Sequence, residues 1–228
     1  LRRADESRRR LLAGLAHDLG TPLTSIRGFA ETLLAAPRAD LGDTDDAAER
    51  RGWSIVYREA LRMQRLVEDM LALTRIEARR LELVKRPFDL RELVESAAER
   101  AALAFGTPPE VRLTADAAHV TADRDRIDQV LGNLLDNAYR HGRGQQVAVS
   151  LQAVGSGFQA AVTDHGPGLS ARARARLFEP FHRGDGEAGG SGLGLAIARH
   201  IAERHGGSLA VEDAPGGGCR AVLTLPAR

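Results

Sequence analysis

The residues with the clearest chemical potential are a histidine and two neighbours near the N-terminus. His17 and Asp18 are adjacent, and Thr21 follows one helical turn after His17. A neutral imidazole is a competent nucleophile near neutral pH, and an adjacent carboxylate can fix its tautomer. We therefore predict that His17 is a nucleophile. The plain alternative is a surface histidine that lies beside an aspartate by chance.

Two asparagines further along the chain have the spacing of one helical turn. Asn133 and Asn137 fall on one face of a predicted helix, and Arg140 and His141 follow within the next turn. Amide oxygens suit Mg²⁺, which binds few protein ligands together with phosphates and water. Arginine and histidine can donate hydrogen bonds to phosphates. The stripe predicts a metal and phosphate site, with Asn137 and Asn133 as the metal ligands.

A carboxylate and two glycines follow an apolar predicted strand. Asp164 stands at the strand end, and Gly166 and Gly168 come directly after it. The carboxylate can accept a hydrogen bond from an adenine amino group, and the glycines leave room for the ring. This short pattern also fits an ordinary turn.

A second glycine-rich segment opens a predicted helix, with Gly190, Gly192, Leu193 and Gly194 in sequence. Free amides at a helix N-terminus bind phosphate, although a flexible loop with a helix cap fits the same residues. Upstream, Phe178 and Phe181 flank a proline and are predicted to anchor a mobile lid over residues 182–189. A third glycine run, residues 215–218, is predicted first as a hairpin turn.

Two long predicted helices must position the histidine. Apolar residues recur at steps of three and four over residues 8–35 and again over 47–80, separated by a Pro- and Asp-rich loop at 37–46. This apolar seam, which in the second helix comprises Trp53, Val56, Ala60, Met63, Val67, Met70 and Thr74, predicts an antiparallel helical hairpin, kinked at Pro22. Because each apolar stripe is wider than one partner covers, we predict a homodimer that forms a four-helix bundle. A hairpin packed on the rest of its own chain is the alternative.

Beyond Pro87 the pattern changes to mixed helices and strands. Helices are predicted near 90–104, 124–141 and 192–205. Strands are predicted near 111–115, 119–122, 146–153, 158–164, 208–212 and 219–225. This predicts an α+β sandwich in which helices cover one face of a single sheet. The predicted domains are therefore an all-α domain at 1–84 and an α+β domain at 85–228, which carries the candidate metal and phosphate site.

Composition narrows the possible partners and sites. The net charge is +1, which provides no general field for nucleic acid, and the single cysteine, Cys219, excludes an internal disulfide. Lys85 is the only lysine and lies outside the glycine loops, so neither a P-loop nor a Ser/Thr/Tyr kinase site is expected. The sequence contains no apolar run long enough to cross a bilayer, so we expect no membrane contact by this chain itself. Because it begins at Leu1 without methionine, we expect an excised fragment of a larger protein, in which a membrane segment upstream stays an open alternative.

Five segments in order resemble the sensor histidine kinases of two-component systems over nearly the whole chain. The segments are His17–Leu23, Asn133–Ala138, Asp164–Gly168, Phe178–Phe181 and Gly190–Leu195. The resemblance implies a dimerisation and phosphotransfer bundle followed by an ATP-binding domain of the gyrase, Hsp90, kinase and MutL class. It also implies ATP and Mg²⁺ as ligands, and a response regulator receiver domain as partner. A chain of this kind is expected to be the cytoplasmic portion of a larger, membrane-anchored bacterial sensor.

The resemblance further implies roles for individual residues. Asp18 would polarise His17, and Thr21 would orient a water in the reverse, phosphatase reaction. Asn137 would contact Mg²⁺, and Asp164 would hold adenine. The chain departs from the family at Gly20, where a basic residue is common, and at Asp18, where glutamate is common. An ATPase of the same nucleotide fold and a pseudokinase that only recruits partners remain the alternatives.

Overall fold

The computed structural model describes residues 23–24, 26–31, 52–57, 59–60, 63, 67, 70, 82–142, 144, 146–182 and 192–227. The chain divides into two compact units, Leu1–Thr74 and Arg75–Arg228.

The described residues of the first unit are helical. They fall within both predicted helices, at 23–31 and 52–70 with the gaps given above. Five large apolar or aromatic side chains among them are exposed in the single chain, namely Leu23 at 57%, Phe29 at 37%, Trp53 at 55%, Tyr57 at 66% and Val67 at 46%. The predicted loop at 37–46 and the kink at Pro22 lie outside the described residues.

The second unit contains seven strands and four helices among its described residues. In chain order these are β1 Arg86–Asp89, α1 Leu90–Phe105, β2 Glu110–Leu113, β3 His119–Ala122, α2 Arg124–His141, β4 Ala148–Val154, β5 Gly157–Thr163, α3 Ala171–Arg176, α4 Gly194–Arg204, β6 Ser208–Asp213 and β7 Cys219–Pro226. The three long predicted helices and the predicted strands are all present, with small differences at their ends.

The strands form two sheets, whereas the sequence predicted one. Five strands follow the order β2-β4-β5-β7-β6, in which β2 and β4 are parallel and the other neighbours antiparallel. β3 instead pairs with β1 in a separate antiparallel ladder that aligns Arg86 with Ala122. Proline lacks an N–H group and is therefore suited to the edge of such a short ladder. Pro87 accordingly lies within β1. The prediction that all the strands form a single sheet was wrong, because β1 and β3 pair in a sheet of their own.

Local sequence explains where the two central helices begin. The side chain of Asp89 accepts a hydrogen bond from the Arg91 amide at the start of α1, and Asp123 does the same for Arg126 at the start of α2. Both are N-caps, which typically stabilise a helix by about 1 kcal/mol. α1 ends at Gly106, whose φ of 72° is left-handed and suits glycine.

The core lies between the helices and one face of the larger sheet. The largest fully buried side chains come from both layers and include Leu93, Leu131, Leu134, Leu151, Ile197, Ile201 and Leu223. Burial of each such side chain contributes about 1.5–3 kcal/mol. This core holds α2 between α1 and α4, and it thereby fixes the asparagine-bearing helix.

The short helix α3 has no counterpart in the sequence predictions. Its residues alternate alanine and arginine, a period of two that gives no helical signal. The helix forms because the Ser170 hydroxyl accepts a hydrogen bond from the Ala173 amide at 3.2 Å, and because Ala173 is buried.

Candidate functional site

Asp164 is buried at the C-terminal end of β5, with 5% of its surface exposed. Its Oδ1 accepts hydrogen bonds from the amides of Gly166 at 2.9 Å and Cys219 at 3.3 Å. Its own amide donates to the Cys219 carbonyl at 2.9 Å. Within the described part of the chain, Oδ2 accepts no hydrogen bond. The carboxylate is therefore fixed by backbone groups, and one oxygen is left to accept a donor from a ligand.

Three glycines allow backbone segments to close around Asp164. A Cβ on Gly166 would lie 2.4 Å from the His141 carbonyl oxygen, and one on Gly218 would lie 2.1 Å from that of Asp164. A Cβ on Gly142 would lie 3.5 Å from the Asp164 Cβ. These approaches bring the end of α2, the loop after β5 and the start of β7 together.

Gly168 completes the loop that follows Asp164. Its φ of 74° is left-handed, and a Cβ there would lie 3.7 Å from the Gly218 carbonyl oxygen. The predicted hairpin turn at 215–218 connects β6 and β7, as expected, and its last glycine also lies against the backbone carbonyl of Asp164. The sequence predicts this segment first as a turn and only second as a site element.

The asparagine stripe lies on a half-buried face of α2. The Asn133 Nδ2 donates to the Gly194 carbonyl at 3.0 Å, which leaves its Oδ1 as the available acceptor. The Asn137 side chain makes no hydrogen bond with any residue that the structure describes. Two amide oxygens therefore lie on one face, one of them oriented by α4. This arrangement fits a hard cation that takes few protein ligands.

Arg140 and His141 form the last turn of the same helix and are both exposed. The Arg140 Nε donates to Asp136 Oδ2 at 2.6 Å. An ion pair at this level of exposure contributes about 0–1 kcal/mol, so an incoming phosphate can compete for the guanidinium. A phosphate-binding role for both side chains stays a prediction.

The two ends of the predicted lid meet. The Phe181 amide donates to the Gly192 carbonyl at 3.0 Å, and a Cβ on Gly192 would lie 2.9 Å from the Phe181 Cα. Both residues have left-handed backbones, with φ of 61° and 66°. Phe178 is covered by the Arg199 guanidinium, 4.9 Å from the ring centroid. The two phenylalanines therefore lie before the predicted lid, whose residues 183–189 fall outside the described residues.

The N-terminus of α4 borders the asparagine stripe. A Cβ on Gly194 would lie 3.4 Å from the Asn133 Cγ, so glycine permits this close approach. The N-cap is Leu193, whose fully buried side chain cannot accept a hydrogen bond from the first-turn amides. Such amides are suited to an anionic group.

Several predicted site residues lie outside the described residues, namely His17, Asp18, Thr21 and Gly190. The structure brings the other predicted ATP-site residues into one region formed by α2, the loop after β5 and the start of α4. Their individual roles remain predictions.

Cys219 was not among the predicted site residues, yet it lies directly opposite Asp164. It is half-buried, and burial together with the Asp164 charge raises the pKa of its thiol to about 11. The thiol is therefore neutral near neutral pH. Its position could have been found from the sequence only by aligning the two strands in register.

Comparison with known proteins identifies both units. Residues 122–228 match the family described as histidine kinase-, DNA gyrase B- and HSP90-like ATPase, and residues 7–79 match the His Kinase A (phospho-acceptor) domain. The second unit therefore has the fold of an ATP-binding domain of this class.

The similar proteins are sensor kinases. The chain is 34% identical to Sensor protein KdpD of Escherichia coli over 97% of its own length and 25% of the relative's. It is 34% identical to Sensor-like histidine kinase SenX3 of Mycobacterium tuberculosis, over 99% of its own length and 55% of the relative's. A solved structure of the mycobacterial sensor histidine kinase MprB is 32% identical, with a TM-score of 0.57, and covers 63% of this chain and 99% of that one. This chain belongs to the sensor histidine kinases of two-component systems.

The chain spans between a quarter and about half of the length of these curated relatives. In the part of the chain that the structure describes, no helix is both long and apolar enough to cross a membrane.

Proposed function

We propose that this chain phosphorylates its own His17 from ATP and passes the phosphoryl group to an aspartate on the receiver domain of a response regulator. The observation that carries the proposal is the Asp164 carboxylate, held by backbone amides with one oxygen open, beside an asparagine stripe and a glycine-lined helix N-terminus. This arrangement can bind a purine nucleotide. The heptad helix upstream supplies the nucleophile.

The first step is a phosphoryl transfer to nitrogen. The lone pair of one His17 ring nitrogen attacks the γ-phosphorus, the bond from that phosphorus to the bridging oxygen breaks, and ADP leaves. Before the attack, Asp18 accepts a hydrogen bond from the ring N–H and so holds the tautomer that presents the lone pair. After it, the phosphorylated ring releases that N–H proton to Asp18 and on to water. Enzymes accelerate such transfers mainly by positioning and by neutralising charge. The second step moves the phosphoryl group from nitrogen to the partner carboxylate.

Different described residues bind different parts of the nucleotide. The Asp164 Oδ2 accepts a hydrogen bond from the adenine amino group, and Gly166 and Gly168 leave room for the ring. The amides at the start of α4 meet the phosphates. Mg²⁺, when bound, neutralises phosphate charge, and the oxygens of Asn137 and Asn133 are suited to hold it.

We also propose that the chain acts as a homodimer in the cytoplasm, where ATP is available. Trp53 and Val67 belong to the predicted seam and are half exposed in a single chain. A second copy would cover them. The proposed domain boundary at 84–85 lies within the second compact unit, before β1.

Labelled ATP tests the central proposal. The chain incubated with γ-labelled ATP should gain label that is stable in alkali and lost in acid. His17→Ala should abolish the label, whereas His119→Ala, which removes an exposed histidine on β3, should retain it. ATP hydrolysis without protein-bound label would favour an ATPase, and failure to bind ATP would favour a pseudokinase.

A phosphatase role for Thr21 is tested separately. Thr21 follows His17 by four residues, one turn on the predicted helix, and would hold a water near a docked phosphoaspartate. Thr21→Ala should therefore keep autophosphorylation and slow loss of phosphate from the regulator. More phosphorylated regulator should therefore accumulate with ATP present. If both activities fall in proportion, the hydroxyl is structural, for example bonded to a backbone carbonyl near Pro22.

A further inference from the structure

Residues 82–89, here called the connecting segment, are attached to the start of α2 and to the end of α4. The Val84 amide donates to Asp123 Oδ2 at 2.9 Å. The Lys85 Nζ donates to the Arg204 carbonyl in the last turn of α4 at 3.4 Å. The segment then continues as β1 and pairs with β3. The connecting segment, which belongs to the second unit, is thus fastened to α2 and α4 before α1 begins.

Asp123 is the centre of this attachment. It is 8% exposed, and its two carboxylate oxygens serve different partners. Oδ1 accepts the Arg126 amide at 3.2 Å and so caps α2, while Oδ2 accepts the Val84 amide. Its own amide donates to the His205 Nε2 at 2.9 Å. One residue therefore joins the connecting segment, the start of α2 and the end of α4.

The hydrogen bonds of His205 define its tautomer. Nε2 accepts from the Asp123 amide, so Nδ1 carries the proton and donates to the Ile201 carbonyl at 2.7 Å. The ring is 5% exposed. A proton added at Nε2 would remove the acceptor and leave the Asp123 amide without its partner. The contacts of His205 therefore require the neutral ring.

We propose that Asp123 and His205 form a clamp that positions the nucleotide-binding domain for phosphoryl transfer. The clamp fastens the connecting segment to the first turn of α2 and to the last turn of α4. This inference rests on the proposed kinase function. The clamp residues lie at the opposite end of α2 from His141, so they act by positioning and touch no substrate.

The clamp should affect transfer more than nucleotide binding. The ATP-site residues Asn133 and Asp164 are held within the second unit by hydrogen bonds that do not involve the connecting segment. Delivery of the γ-phosphate to His17 depends in addition on how that unit is attached to the preceding chain. A loose attachment increases the number of unproductive orientations, which lowers the rate of transfer without changing ATP affinity.

The clamp also predicts a dependence on pH. Burial lowers the pKa of His205, the Ile201 carbonyl and the Asp123 charge oppose that shift, and the Lys85 and Arg204 charges reinforce it. The neutral ring is thus favoured in the folded state. Its contribution to stability is complete above the ordinary histidine pKa of 6.5 and is lost as pH falls from there through the lowered value.

Asp123→Asn separates the clamp from the helix cap. Asparagine caps a helix as well as aspartate does, but its single carbonyl oxygen cannot serve both Arg126 and Val84. We expect faster hydrogen exchange at the Val84 amide, an ATP dissociation constant within about twofold of wild type, and autophosphorylation roughly 10- to 100-fold slower. The matched control is Asp125→Asn, an exposed first-turn change that should alter none of these. Unchanged Val84 exchange, or an equal loss of affinity and rate, would overturn the proposal.

His205→Gln tests the requirement for a neutral ring. A glutamine oxygen can replace Nε2 as acceptor and does not titrate between pH 5 and 8. In the wild-type chain, protection of the Asp123 and Val84 amides should fall below pH 6.5, whereas in His205→Gln it should persist, and His205→Ala should lose it at every pH. His200→Gln, on the same helix, should behave as wild type. Identical pH profiles for wild type and His205→Gln would refute the clamp.

A wild-type chain that binds ATP without labelling itself would instead refute the kinase function. The hydrogen-exchange data would still decide whether the clamp exists.

Discussion

At the scale of single residues, Asp164 shows how the fold turns a common side chain into a selective one. Backbone amides occupy Oδ1 and leave Oδ2 open, so the residue offers an acceptor in one direction. A hydrogen bond to a charged group contributes about 1.5–3 kcal/mol. That energy is sufficient to discriminate a base that presents an amino group from one that presents a carbonyl.

Asp164→Asn should reverse this discrimination. The amide oxygen can keep the bonds to Gly166 and Cys219, which places an NH₂ group where Oδ2 was. We expect ATP to bind roughly 10- to 100-fold more weakly and the preference for ATP over GTP to fall, as measured by calorimetry. Asp116→Asn, which changes an exposed aspartate, is the control. Equal ATP-to-GTP ratios in wild type and variant would refute the adenine assignment.

The two asparagines should differ on substitution. Asn133→Ala removes the bond to the Gly194 carbonyl as well as an oxygen ligand, so it should lower stability by about 1 kcal/mol. Asn137→Ala removes only the proposed metal ligand. We expect it to abolish autophosphorylation at low Mg²⁺, to recover partly as Mg²⁺ is raised, and to leave the melting temperature unchanged. If added Mg²⁺ has no effect at any concentration, Asn137 is not a ligand.

At the scale of elements, the base of the lid depends on a close backbone approach. Gly192→Ala would add a methyl group 2.9 Å from the Phe181 Cα, at a left-handed φ of 66°. We expect weaker ATP binding, because the ends of the lid separate. Gly155→Ala is a matched control, since its φ is 56° but nothing lies within 4 Å. Gly155→Ala introduces the backbone strain of a left-handed alanine, about 1–2 kcal/mol, without a steric clash. Equal ATP affinities in the two variants would contradict the proposal.

At the scale of the whole molecule, the helical unit should assemble two copies. Met63 lies in the predicted seam and is half-buried, so Met63→Glu would place a charge against apolar neighbours. We expect a monomer by sedimentation, with ATP binding by the second unit retained. Tyr57→Glu, at an exposed position outside the seam, should leave the dimer intact. A wild-type monomer at micromolar concentration would exclude the assembly.

The sequence by itself determined the class of the protein, the existence of its long elements and the positions of most candidate site residues. Periodicity located α1, α2 and α4 because each buries a stripe of apolar side chains at helical spacing. The ordered segments around Asn133, Asp164 and Gly192 identified the family because their chemistry is local. These features depend on residues that are near one another in the chain.

Only the tertiary structure decided how distant segments meet. The pairing of β3 with β1, the opposition of Asp164 and Cys219, and the joining of Val84, Asp123 and His205 all depend on strand register and helix packing. α3 forms because Ser170 caps it and Ala173 is buried, although its alternating alanines and arginines have the period of a strand. Such contacts result from the balance of burial and hydrogen bonding over the whole domain. Local sequence patterns do not predict them, because that balance depends on residues far apart in the chain.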